Sequence, residues 1–78
     1  MDDHLNHRAL AMLRAVAAGR AEVTTSRQPD LRVDGLLCCD QAAARELARA
    51  GLLRPAERDA PGSWVPAELT PAGRAALA

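Results

Sequence analysis

The chain has 78 residues, enough for one small domain with one modest core, and carries ten basic and ten acidic side chains. Balanced charge excludes the broad positive field that drives tight nonspecific association with nucleic acid or anionic membrane. One Trp with no Phe or Tyr excludes an aromatic platform for stacking single-stranded nucleic acid.

Asp2 and Asp3 suit the positive end of a helix dipole, and behind them Leu5, Ala9, Met12, Leu13 and Val16 recur at spacings of three and four. A helix over residues 3–18 is predicted, ending at Gly19. After it the period changes to two. Ala21, Val23 and Thr25 alternate with Glu22, Thr24 and Ser26, Gln28-Pro29-Asp30 marks a turn, and Leu31-Arg32-Val33 alternates again before Asp34-Gly35. A β-hairpin over about 21–34 follows; the competing reading is a strand and then a loop that packs Leu31 and Val33.

Leu36-Leu37-Cys38 reads as an apolar lead into a second helix with both ends marked. Asp40 is its N-cap, Gly51 its left-handed C′ residue, and Leu47 and Leu52 the apolar pair that closes such a cap. Cys39, just before the cap, is placed to pack on Ala44. At 100° per residue Ala43, Ala44 and Leu47 form the apolar back, while Gln41, Ala42, Arg45 and Arg49 project in front. Residues 52–56 and 64–69 then look like two arms of a hairpin with a mobile polar tip ending in Pro61-Gly62. Thr70-Pro71 starts a last helix as N-cap and N1, with Leu69 and Leu77 as anchors and Gly73 as a weak point.

All ten basic residues are Arg, in a chain rich in Ala, as a high-GC bacterial genome encodes. Cys38 and Cys39 are adjacent and make no disulfide framework. With His4 and His7 they supply no Cys-x-x-Cys spacing, so no metal site is expected. Scattered acids, both His near the start, and no Gly-rich phosphate loop give no catalytic residues and no cofactor; the chain is read as a non-enzyme. No signal segment or long apolar run is found, which implies a cytoplasmic protein without membrane contact.

Two segments carry a family resemblance. Ala43-Ala44-Arg45-Glu46-Leu47-Ala48-Arg49-Ala50-Gly51-Leu52-Leu53-Arg54 is similar to the end of a recognition helix running into a first wing strand. Residues 65–77, ending Leu69-Thr70-Pro71-Ala72-Gly73-Arg74-Ala75-Ala76-Leu77, resemble the second wing strand and following helix of bacterial MarR- and PadR-type regulators. The resemblance implies an α+β, winged-helix-like single domain over residues 1–78. It would have about three helices, an extra N-terminal extended segment or β-hairpin, and a C-terminal β-wing. The chain departs from the pattern between Val23 and Val33. Extended sequence stands there in place of the first helix of a helix-turn-helix, which normally braces the recognition helix.

On this resemblance the expected function is a DNA-binding transcriptional regulator acting on double-stranded DNA as a homodimer. Gln41 would read adenine, Arg45 and Arg49 would read guanine or hold phosphate, and Arg54 and Arg58 would add backbone contacts from the wing. Residues 41–58 hold four Arg against Glu46 and Glu57, a weak basic patch. The alternative is a winged-helix-like protein-interaction module that does not bind DNA and docks a partner through Trp64 and Leu77.

Overall fold

Helix α1 (His7–Ala17) turns Ala9, Met12, Leu13, Ala15 and Val16 inward, the stripe its three-and-four spacing dictates. It stops at Gly19, whose φ of +77° is open to a residue without Cβ. There the Gly19 N–H donates to the Val16 carbonyl and the Arg20 N–H to that of Ala15, both at 3.0 Å, the two bonds of a Schellman cap. The computed structural model describes residues 7–38, 40–57 and 60–78. The expectations placed on Asp2, Asp3, His4, Leu5, Cys39 and Arg58 lie outside the described residues.

The predicted hairpin is present. Strands β1 (Ala21–Thr24) and β2 (Leu31–Val33) pair antiparallel, with Val23 opposite Leu31 and Ala21 opposite Val33. Asp34 and Gly35 both hold positive φ, 53° and 81°, making the two-residue turn whose twist matches a hairpin. The chain then runs back as β3 (Leu36–Leu37) along the outer side of β2. The apolar lead into the second helix is itself an outer strand, with Leu36 and Leu37 74% and 65% exposed. At a sheet edge two consecutive leucines face opposite sides, and neither is covered.

Helix α2 (Gln41–Arg49) leads into β4 (Leu53–Pro55), which pairs antiparallel with β5 (Trp64–Leu69) before helix α3 (Pro71–Leu77). β5 also pairs with β1, so one antiparallel sheet forms in the order β3-β2-β1-β5-β4. Leu31, Val23 and Val65 lie in one row across three strands. With Ala21, Leu53, Ala67 and Leu69 they meet Leu13 and Val16 of α1 and Ala44 and Leu47 of α2 in a single core. The fold is thus a small α+β domain of three helices and a five-stranded sheet, as expected. Among the described residues no helix is long and apolar enough to cross a membrane.

The described residues on the β5 side of the wing tip, whose polar sequence reads as mobile, bond to the end of β1. The Gly62 N–H donates to the Thr25 carbonyl (3.1 Å), the Thr25 N–H to that of Ser63 (3.1 Å), and the Thr25 hydroxyl to that of Ala60 (2.6 Å). Gly73, read as a weak point of α3, is instead what lets α3 dock. It is buried, and a Cβ there would sit 2.0 Å from the Leu52 carbonyl oxygen. That carbonyl accepts from the Thr70 N–H (3.1 Å), and the Thr70 hydroxyl donates to the Gly51 carbonyl (2.5 Å) while accepting from the Gly73 N–H (3.0 Å). The end of α2 and the start of α3 are therefore clasped backbone to backbone.

Candidate phosphate-contacting cleft

α2 is held at both ends as its sequence predicts. An Asp40 carboxylate oxygen accepts from the Ala43 N–H at 2.9 Å, and the other accepts from Arg8 Nη1 at 2.9 Å. The backbone N–H and then the guanidinium keep the Asp40 carboxyl below the usual carboxylate range. At the far end Gly51 has φ +76°, its N–H donates to the Ala48 carbonyl and that of Leu52 to the Leu47 carbonyl, both at 3.0 Å.

The front of this helix is not free. Gln41 lies beside the start of β2 and bonds it as another strand would. Its Oε1 accepts from the Leu31 N–H (2.9 Å), and its Nε2 donates to the carbonyls of Leu31 (2.9 Å) and Cys38 (2.7 Å). Reading adenine uses this same amide donor and acceptor, so a base contact would first have to displace all three bonds. One turn on, Arg45 Nη2 donates to Asp30 in the β1–β2 loop at 2.7 Å. The β1–β2 hairpin, which stands where a bracing helix was missing from the sequence, flanks the side of α2 that Gln41 and Arg45 occupy.

Beyond Gln41 the basic residues converge. Arg45 and Arg49 from α2, Arg54 from β4 and Arg27 from the β1–β2 loop line one cleft of about 310 Å³, with apolar surface from Val23, Ala48 and Leu53. No Asp or Glu is in that lining. The acids stand behind it: Asp30 on Arg45, Glu46 on Arg49 at 3.1 Å, and Glu68 on Arg54 at 2.7 Å. Each pair uses one nitrogen of a guanidinium that carries five N–H donors. Of these four arginines, Arg27 alone has no ion pair with a described residue. A wider open segment of about 640 Å³ shares Ser26, Arg27, Arg54 and Pro55 and carries the cleft toward Glu57 and Pro61 at the wing tip. Sequence reasoning found Arg45, Arg49 and Arg54 but missed Arg27. It sits in a turn, and only the hairpin's return beside α2 brings it to the others.

The two residues expected at a partner interface lie on different elements, Trp64 on β5 and Leu77 on α3. Trp64 alternates with the buried Val65, so it lies on the sheet face away from the helices, opposite Thr24. It is half-buried, and the Arg32 guanidinium sits 4.3 Å from its ring centroid while Arg32 also pairs with Glu22 at 2.6 Å. Leu77 is half-buried and packs against the core from α3. Cys38 is half-buried, and no group of three or more His, Cys, Asp or Glu among the described residues is placed to hold a metal. No family model, curated protein or solved structure matches the chain.

Proposed function

We propose that the protein is a small DNA-binding module, of the transcription-regulator kind, that holds duplex DNA by its phosphates. The observation that supports this is the convergence of Arg27, Arg45, Arg49 and Arg54 from three separate elements on one cleft with no Asp or Glu in its lining, which opens toward Glu57 and the wing tip. Phosphate contacts position a protein on DNA, whereas base contacts specify sequence. With Gln41 engaged in the fold, the reading narrows to the first of these. Arg58 belongs to the wing segment in sequence and lies outside the described residues.

Three to four phosphate contacts give a log–log salt slope of about −3 on B-DNA, so binding falls about 60-fold between 50 and 200 mM salt. Titrating a short duplex of arbitrary sequence by fluorescence anisotropy measures this slope. Arg49→Ala and Arg54→Ala each reduce its magnitude by about one. Undetectable binding at the lowest salt would overturn the proposal.

A second reading, a protein-interaction module, draws on a different observation. Leu36 and Leu37 expose apolar surface on an outer strand at the far end of the sheet from β4. Such an edge is a template for strand addition. Leu37→Glu abolishes partner capture under that reading and leaves duplex binding unchanged under the first.

A further inference from the structure

The arginine cleft has features that contact with a long duplex backbone does not require. It is concave, and about 310 Å³ lies at the small end of ligand-sized pockets. Its basic lining encloses apolar surface from the half-buried Pro29, Ala48 and Pro55. The Arg45 Nε–H is buried and finds no acceptor, although the same guanidinium reaches Asp30 through Nη2. The other terminal nitrogen of that guanidinium, Nη1, has no acceptor among the described residues. Arg27 brings a guanidinium with no ion pair to a described residue into the same lining.

We propose that this cleft is a binding site for one nucleoside monophosphate, its phosphate held by Arg27 and Arg45 with Arg49 and Arg54 at hand, its nucleoside against the apolar surface. Phosphate is favoured over carboxylate because its three oxygens accept from several guanidinium forks at once, whereas a carboxylate is filled by one bidentate pair. A nucleoside is favoured over a bare ion because apolar walls and guanidinium planes both receive a flat ring. The proposal deepens the duplex reading by using the same arginines, but it requires no duplex, and the ligand is either free or the terminal nucleotide of a strand.

Isothermal titration of the full chain with adenosine 5′-monophosphate, adenosine and inorganic phosphate at low salt tests it, with a duplex titrated in parallel. The nucleotide binds with one-to-one stoichiometry, inorganic phosphate binds at least about tenfold more weakly, and adenosine does not bind. Arg27→Ala weakens nucleotide binding at least about tenfold with an unchanged melting temperature, since Arg27 is exposed and pairs with no described residue. Adenosine binding as tightly as its monophosphate, inorganic phosphate binding equally well, or an unaffected Arg27→Ala variant would each overturn the assignment. Nucleotide binding without duplex binding upholds the site and removes the duplex reading. Duplex binding that the nucleotide does not compete away upholds the duplex reading and removes the site.

Discussion

Replacing Gly73 by Ala tests whether the clasp between α2 and α3 holds the fold as described. On helix propensity alone the change stabilises α3 by about 1 kcal/mol, because Ala is a far better helix former than Gly. The structure reverses the sign. The added Cβ would stand 2.0 Å from the Leu52 carbonyl oxygen, 3.0 Å from its carbon and 3.2 Å from a Leu69 methyl. The oxygen cannot swing aside cheaply, because it accepts from the Thr70 N–H and belongs to the residue that closes the α2 cap. α3 must therefore move as a body, at the upper end of overpacking costs, about 3 kcal/mol. Subtracting the propensity gain leaves about 2 kcal/mol of destabilisation, or a melting temperature lower by about 8–16 °C in a domain this small. Circular-dichroism melting of Gly73→Ala beside Ala72→Gly measures it. Ala72 is exposed on the same helix, so its change to Gly costs about 1 kcal/mol by propensity alone. The two substitutions run in opposite chemical directions and both destabilise. An unchanged or raised melting temperature for Gly73→Ala would refute the close approach.

Gln41→Ala removes three bonds to backbone and leaves the Leu31 N–H without its acceptor, so unfolding free energy falls by about 1–3 kcal/mol; a variant of unchanged stability that no longer binds DNA would restore the base-reading role. Asp40→Asn keeps a capping oxygen but removes a carboxyl whose folded pKa is depressed by the Ala43 N–H and Arg8. That stabilisation is fully present above the unfolded carboxylate value of about 4 and is lost as pH falls through the lower folded value. The melting-temperature gap between wild type and Asp40→Asn is therefore constant above about pH 5 and narrows below about pH 4; parallel curves would contradict the linkage. Arg32→Ala uncovers Trp64, the one aromatic side chain, and its fluorescence shifts to the red with no change in duplex binding; an unshifted spectrum would mean the stacking does not persist in solution.

What was legible in the sequence was what short-range chemistry controls. Asp40, Gly51, Thr70 and Pro71 mark helix ends because capping needs only groups within a few residues, and all four take the expected positions. The change of period at Gly19 gave the hairpin for the same reason. What was not legible depended on contacts distant in sequence. Nothing near Gly73 reveals that Leu52 lies against it, nothing near Gln41 reveals that the start of β2 lies beside it, and nothing near Leu36 shows that the apolar lead is an outer strand. Arg27 belongs to the same class, since the other three arginines of the cleft are 18 to 27 positions away.

The two segments that carry the family resemblance turn out to be the two halves of one clasp. Ala50-Gly51-Leu52 supplies the carbonyls, and Thr70-Pro71-Ala72-Gly73 supplies the donors and the absent side chain that lets the backbones approach. Such a joint sets how α2, the β4–β5 hairpin and α3 are assembled, which is architecture and not ligand chemistry. The β1–β2 hairpin occupies the flank of α2, engages Gln41 through Leu31, engages Arg45 through Asp30, and delivers Arg27. The same hairpin that engages Gln41 lines the arginine cleft. A variant in which the 26–29 turn is replaced by a minimal two-residue turn keeps the clasp and α2 in place while removing Arg27. It should therefore still fold yet lose at least about tenfold in phosphate-dependent binding; retained binding would return the function to α2 and the wing alone.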